Sequence, residues 1–323
     1  MKLVIQIPCY NEEHYLERTL RDIPRQIPGI DEIEFVAIDD GSTDRTAEVA
    51  RRAGVQHLVR FRNRKGLAQA FMAGLDASLK AGADIIVNTD ADNQYCGADI
   101  PPLIEPILSG EADMVIGDRT IDKLTHVSPL KRFLQRWGSW AVRRISGTDI
   151  PDCTSGFRAY NREAALRINI VSQFTYTLES IIQGGKKNIA ITHVPVRTNK
   201  ETRESRLFSS LWEYVKRSLS TMVRIYTMYD AFKIFLFIGT VGLLLGVLLS
   251  LRFLCFYFTS GGRGHIQSLI FAAIFMIVGF QVLLIGLIAD IISSNRRLIE
   301  DALYRIRKME LHAGREGMPP TSK

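Results

Sequence analysis

Cysteine is scarce in this chain and carries no pattern. Cys9, Cys96, Cys153 and Cys255 include no C-x-x-C spacing, so neither a zinc site nor a disulfide framework is encoded, and a reducing compartment is the simplest reading. The six histidines form no H-x-x-H or H-x-x-x-H pair, so each reads as structural rather than catalytic. G-x-S-x-G, P-loop and G-x-G-x-x-G runs are also missing, which leaves hydrolase and ATPase readings without support. The opening MKLVIQIPCY lacks a long apolar run and passes straight to Pro8 and a polar stretch. It therefore reads as a buried strand rather than a signal peptide, with the start of the chain expected in the cytosol. Basic residues are not interleaved with a stacking platform, so nucleic acid is not an expected partner.

What is present is enough for one ordinary globular domain and something more: 323 residues, 46% hydrophobic, with 41 Lys and Arg against 34 Asp and Glu. Disordered and fibrous classes are excluded. Residues 1–118 hold 12 basic and 20 acidic side chains, whereas 119–230 hold 19 and 9. An acidic first half suits a metal and a polar small ligand; a basic second half suits phosphate or an anionic membrane surface.

Apolar character gathers toward the carboxyl end, where Ile234 to Leu251 and Ile266 to Ala289 contain no charge. A span needs roughly 20 residues, and Ala231–Phe232 and Phe253–Phe258 extend the first stretch, with Lys233 and Arg252 able to snorkel. The link TSGGRGH, Thr259 to His265, makes a helical hairpin. Basic residues precede it (Arg206, Lys216, Arg217, Arg224, Lys233) and follow it (Arg296, Arg297, Arg305, Arg307, Lys308), so both ends are expected in the cytoplasm. Two core helices of a soluble domain are the alternative. Between 206 and 229, Leu207, Leu211, Tyr214, Val215, Leu219, Met222 and Ile225 recur at helical spacing; this fits an interfacial helix or an ordinary surface helix, and the position before the hairpin favours the first.

Ahead of the hairpin, short apolar runs alternate with helical patterns. Strands are expected at Leu3–Ile7, Glu34–Ile38, Gln56–Arg60, Asp84–Asn88 and Asp113–Ile116, with helices from about Glu12, from about Thr43, through Leu67–Leu79 and after Asp99. That alternation predicts an α/β domain with a mostly parallel sheet, whose ligands bind at the carboxyl ends of the strands. Polar clusters fall there: Pro8-Cys9-Tyr10-Asn11-Glu12-Glu13, then Asp39-Asp40-Gly41-Ser42-Thr43-Asp44, then Asp90-Ala91-Asp92-Asn93-Gln94. Carboxylates in the first two can accept from ribose hydroxyls or a base N–H. In the third, Asp-x-Asp can aim two carboxylates at one hard cation, and magnesium binds through one or two carboxylates plus substrate phosphates. A lone D-x-D is weak, since turns are rich in Asp. Three acidic clusters at three strand ends are harder to dismiss.

PCYNEE, IDDGSTD, TDADNQY, IGDRT and DCTSGFRAY, in this order, resemble the family 2 inverting glycosyltransferases of the GT-A fold. More narrowly they resemble the polyprenyl-phosphate glycosyltransferases, the group of dolichyl-phosphate mannose synthase and its two-span bacterial relatives. The resemblance covers about residues 1–230, and the hairpin matches the two-span members. It implies a Rossmann-like GT-A catalytic domain over 1–205, an interfacial helix over 206–230, two transmembrane helices within 231–292 (about 231–258 and 266–290) and a cytoplasmic helical tail over 293–323.

It also implies roles. Pro8, Tyr10, Glu12 and Asp39 match positions that hold the nucleoside. Asp90, Ala91, Asp92 and Gln94 match the motif for Mg²⁺ or Mn²⁺ and the diphosphate, with Asp92 the direct ligand, and Arg119 and Arg132 match arginines that grip the lipid phosphate. Thr202 to Phe208 falls where relatives carry a mobile loop of the type GESKL; here Arg203 replaces the glycine and Arg206 the lysine, and Arg136 stands where the mannose synthases tend to have serine. Asp152 is a candidate carboxylate near the reacting centre, or else a helix cap or an ion-pair partner of Arg158.

The expected function is inverting transfer of a hexose from a UDP- or GDP-linked sugar to undecaprenyl or dolichyl phosphate at the cytoplasmic face of a bacterial or archaeal plasma membrane. Expected partners are the nucleotide sugar, the polyprenyl phosphate and membrane lipid, with a homo-oligomer left open. A processive polysaccharide synthase is the alternative within the class, but its Q-x-x-R-W has Phe133 where glutamine is required before Arg136-Trp137. A non-catalytic nucleotide-sugar-binding scaffold is the third.

Overall fold

The computed structural model describes residues 1–120, 129–172, 175–199, 211–260 and 266–316, and at 129–137, 211–219, 221–231, 260, 312 and 314–316 it describes the helix but not the side chains. The chain divides into two compact units, Met1–Met222 with Leu303–Lys323, and Val223–Ala302.

In the first unit β1 (Lys2–Cys9), β2 (Glu32–Asp39), β3 (His57–Arg60) and β4 (Ile85–Asn88) alternate with α1 (Leu16–Asp22), α2 (Thr46–Arg52) and α3 (Leu67–Lys80). Then follow α4 (Ile100–Leu108), β5 (Met114–Asp118), α5 (Pro129–Ser146), β6 (Arg158–Asn161), α6 (Arg162–Arg167), α7 (Thr177–Lys186) and β7 (Ile191–Pro195). All the expected strands form. The sheet order is β3-β2-β1-β4-β6-β5-β7, parallel throughout except where β6 runs antiparallel between β4 and β5. β1 is buried beyond its first residue, as a strand covered on both faces must be, and its unbroken apolar run is the reason.

Two helices begin later than their sequence patterns suggest, α1 at Leu16 rather than about Glu12 and α2 at Thr46 rather than about Thr43. β1 and β2 are neighbours, so the loops leaving them abut and bond to each other instead of winding early. Asn11, at φ 55°, receives the Thr43 N–H on its Oδ1 at 2.9 Å and donates its own N–H to Ser42 Oγ at 3.0 Å. The Glu12 N–H goes to Thr46 Oγ1 at 2.8 Å.

Aromatic packing ties α3 to the start of α7: Phe71 and Tyr176 stack with centroids 3.9 Å apart and planes 3° from parallel, and both are fully buried. Phe71→Ala is expected to cost about 3–5 kcal/mol, read as a lowered midpoint in thermal or denaturant unfolding; a cost under about 1 kcal/mol would contradict this packing.

The second unit consists of the apolar parts of α8 (Leu211–Ser260) and α9 (Ile266–Glu316). They pair through small residues: a Cβ added to Gly242 would stand 3.2 Å from the Cα of Gly279, so only glycine lets the backbones approach this closely. Phe232–Thr259 and Ile266–Leu311 are long and apolar enough to cross a membrane, and just 11% and 17% of their most apolar windows are buried. Helices of a soluble core would hide such surfaces, whereas these are largely exposed. Each helix runs on past its apolar stretch without a break, so residues 211–230 of the expected interfacial segment and 293–316 of the expected tail are continuations of the two long helices.

Candidate active site

The three clusters converge because β2, β1 and β4 are adjacent and end together. Pro8 is buried within β1, and Tyr10 lies just beyond it with the Arg64 guanidinium 4.2 Å above its ring. Asp39, fully buried, accepts the Ser42 N–H on Oδ1 at 2.8 Å and pairs through Oδ2 with Arg60 at 3.1 Å. Asp40 instead accepts the Lys65 and Gly66 N–H groups at 2.6 and 2.9 Å, so it fixes the loop that leads into α3. Glu12 is buried beside them.

At the end of β4, Ala91 is held by Thr19, whose Oγ1 donates to its carbonyl at 2.8 Å, and Asn93 turns the chain at φ 57°. The Gln94 N–H reaches Asp92 Oδ1 at 3.2 Å. Asp90 lies against Gly156: a Cβ there would meet both Asp90 carboxylate oxygens at 3.1 Å and the Tyr176 hydroxyl at 3.0 Å. Asn88 secures this approach by donating to the Gly156 carbonyl and to the Tyr176 hydroxyl, both at 2.8 Å, and the Gly156 N–H donates to Tyr95 Oη at 2.9 Å. Gly156→Ala is expected to cost roughly 1–3 kcal/mol by overpacking and to displace Asp90, which unfolding midpoints and turnover together would register. An unchanged midpoint with full turnover would show that the approach is loose.

Burial first, and the Asp92 carboxylate second, push the Asp90 carboxyl up to about 7, with the Arg119 charge acting against them. Two carboxylates this close repel unless a cation joins them. Among the described residues no group of three or more His, Cys, Asp or Glu could hold a metal by itself. A pair of hard oxygen donors with no third such ligand among the described residues fits a divalent cation whose remaining ligands come from substrate phosphates and water.

Facing this pair, Arg119 and Asp152 form a two-pronged ion pair, Nε to Oδ2 at 2.7 Å and Nη2 to Oδ1 at 3.0 Å. Thr154 joins it, accepting from Arg119 at 2.7 Å and donating to Asp152 at 2.9 Å. Burial opposes the charge on Asp152, but the Arg119 cation and these hydrogen bonds outweigh it and hold the carboxyl below the usual carboxylate range. The ion-pair alternative for Asp152 is thus realised with Arg119 and not with Arg158. Arg158 is fully buried and donates to the Ser155, Thr177 and Cys153 carbonyls and to Ser180 Oγ. Its role is to brace β6 and the start of α7.

Thr120, next to Arg119, sits at φ 47°, a strained conformation for a β-branched residue. Arg132 and Arg136 lie on α5, where only the helix is described, and Arg203 and Arg206 lie outside the described residues. The chain ahead of that last segment is fixed to the acidic motif: Asn199 donates its N–H to the Gln94 carbonyl at 2.9 Å and its side-chain amide to the Asn93 carbonyl at 3.0 Å.

Asn88, Tyr95, Gly156 and Tyr176 belong to this site although sequence reasoning assigned them no role. Tyr95 and Gly156 stand inside recognised motifs, and Asn88 is a polar residue closing an apolar strand. Tyr176 carries no local signal.

The sequence signature of glycosyl transferase family 2 matches residues 4–168, about half of the chain. This chain belongs to glycosyl transferase family 2. It is 33% identical over 228 residues to the dolichol-phosphate mannosyltransferase of Pyrococcus furiosus, covering 67% of this chain and 62% of that one. Over 218 residues it is 28% identical to the undecaprenyl-phosphate mannosyltransferase of Micrococcus luteus, covering 64% and 88%. A third relative, the undecaprenyl-phosphate 4-deoxy-4-formamido-L-arabinose transferase of Pseudomonas paraeruginosa, is 29% identical over 316 residues, 94% of this chain and 87% of the other. Among solved structures, glucosyl-3-phosphoglycerate synthase of Mycobacterium tuberculosis with Mn²⁺, UDP-glucose and phosphoglyceric acid superposes with a TM-score of 0.54 at 21% identity, over 70% of this chain and 79% of that one. That likeness bears on the fold, which is GT-A.

Proposed function

We propose that this family 2 glycosyltransferase moves a hexose from a UDP- or GDP-linked sugar to a polyprenyl phosphate at the cytoplasmic face of a membrane, with inversion at the anomeric carbon. The observation that carries the reading is the Asp90–Asp92 pair, with Asp90 packed against Gly156, opposite the Arg119–Asp152 pair, where β1, β2 and β4 end side by side. Three named relatives act on polyprenyl phosphates, and one of them aligns along 94% of this chain. The two long apolar helices give a lipid-borne acceptor a place to dwell.

In this reading Pro8, Tyr10, Glu12 and Asp39 hold the nucleoside. Asp90, Ala91, Asp92 and Gln94 receive the diphosphate end, with Asp90 and Asp92 holding Mg²⁺ or Mn²⁺. When bound, such a cation offsets the negative charge that grows on the departing diphosphate. A phosphate monoester has its second pKa at about 6, so the acceptor oxygen is already anionic at neutral pH and needs no general base. Asp152 is accordingly free to orient Arg119 instead of taking a proton. Arg119 and Arg132, with Arg203 and Arg206, would supply guanidinium forks for the lipid phosphate. The acceptor oxygen attacks the anomeric carbon in line, the carbon–oxygen bond to the phosphate forms as the bond to the nucleoside diphosphate breaks, and no proton changes hands.

The test is to incubate the purified protein with Mg²⁺ or Mn²⁺, radiolabelled nucleotide sugars and polyprenyl phosphate, then extract with organic solvent. Label in a single-sugar lipid is expected. Label in an aqueous polymer would indicate a processive synthase, and no product from any donor would leave a binding scaffold.

A further inference from the structure

The first unit reclaims the end of the chain. After the apolar stretch of α9, residues from Leu303 onward count with the sheet domain, so the polypeptide leaves that unit once through α8 and returns to it through α9. The returning segment presents one face. Leu303, Tyr304, Arg307 and Leu311 are half-buried, at spacings of one, three and four residues, while Arg305, Ile306 and Lys308 to Glu310 between them are exposed.

That face meets α6. The Tyr304 hydroxyl donates to Glu163 Oε1 at 2.7 Å, and the same carboxylate binds Arg167, whose guanidinium lies 5.1 Å from the Tyr304 ring. Arg307 Nη1 donates to the Ile168 carbonyl at 3.3 Å and, more weakly, to the Leu166 carbonyl at 3.5 Å. These are among the last carbonyls of α6 and its cap, which the helix cannot satisfy itself and whose partial negative charge favours a cation. Lys187 takes the Arg167 carbonyl between them at 2.7 Å. The helix end is thus completed by two cations, one of them supplied from 139 residues further along the chain.

We propose that Tyr304 and Arg307 form a docking strap whose seat is the carboxyl end of α6, and that the strap positions the catalytic unit for an acceptor held in the bilayer. A domain joined to its membrane hairpin by one connection can rotate about it. Fixing the second connection removes that freedom, and orientation of the reactants is worth large factors in rate. The second half of this inference rests on the function proposed above, whereas the docking itself does not. Tyr304 and Arg307 are positioning residues, and neither belongs to the site around Asp90.

The test uses the full chain reconstituted in lipid nanodiscs, comparing wild type, Tyr304→Phe, the double variant Tyr304→Phe/Arg307→Ala, and Ile306→Ala on the exposed face as a control. Hydrogen exchange of residues 162–168 and 303–311 is expected to quicken about tenfold in the double variant, less in the single one, and not in the control. Transfer to a long-chain polyprenyl phosphate in the bilayer should fall about tenfold, while transfer to a short-chain, detergent-soluble acceptor and the affinity for nucleoside diphosphate stay within about twofold. Unchanged exchange in the double variant would overturn the docking. Faster exchange with both acceptors equally affected, or neither, would overturn the positioning role. If wild type transfers sugar to no acceptor, the proposed reaction has failed and exchange alone decides whether the strap docks.

Discussion

Replacing Asp92 with alanine is expected to abolish sugar transfer while leaving the fold intact. Asp92 is only partly buried at the end of β4, where its Oδ1 accepts the Gln94 N–H at 3.2 Å. In the proposed reaction, what depends on it is the cation. Metal stabilisation of a leaving diphosphate is worth several kcal/mol, and at about 1.4 kcal/mol per decade that makes a loss of roughly 10²–10³-fold or more in turnover. The unfolding midpoint should stay close to wild type. Turnover within about twofold of wild type would remove the metal from the account.

Arg119→Ala should damage both stability and turnover, for separable reasons. Asp152 is fully buried and Arg119 only 14% exposed, hence removing the guanidinium leaves a buried carboxylate without its charged partner. Breaking a buried pair in this way costs about 3–5 kcal/mol. Replacing both members together, as Arg119→Met with Asp152→Leu, should recover most of that stability, because a buried pair is often no better than apolar residues of similar volume. Turnover should not recover, since the cation beside Asp90 is then gone. A double variant that regains turnover would make the pair purely structural; one that regains no stability would mean that the loop around Thr154 needs the pair's geometry. Unfolding curves and steady-state rates on the three proteins decide between these outcomes.

The sheet was legible because its strands are continuous apolar runs and the polar clusters stop them abruptly. β1 and β4 are the clearest cases, each buried and each closed by residues that read as ligands. β6 was harder. It is four residues long, contains an arginine that is fully buried, and runs antiparallel, so neither period nor polarity announces it. Arg158 is acceptable there because its donors meet three carbonyls and a hydroxyl, an arrangement that exists only once residues 153 to 180 have folded.

Within the site, the motifs located Asp39, Asp90 and Asp92 but could not say which side chains pair. Asp39 and Asp40 are adjacent and chemically identical, yet one faces the cluster and the other clips the loop before α3. The Arg119–Asp152 pair spans 33 residues, and the contact of Asp90 with Gly156 joins two motifs through a missing side chain. Hydropathy divided the carboxyl-terminal third into four segments, whereas α8 and α9 run unbroken for 50 and 51 residues, because no proline or helix-stopping glycine stands where the apolar character ends. Arg307 reads in the sequence as one more cytoplasmic charge. Its bonds to α6 depend on a turn of the chain that spacing alone does not encode.

Central to the account is that the acidic pair and the donor diphosphate hold a divalent cation jointly. Mn²⁺ binding, followed by the electron paramagnetic resonance of the free ion, tests this directly. The account predicts weak binding to the protein alone, strengthened at least about tenfold by UDP or GDP, with Asp92→Ala abolishing the increase. Mn²⁺ affinity indifferent to both nucleotides, or an increase that survives in the variant, would contradict it.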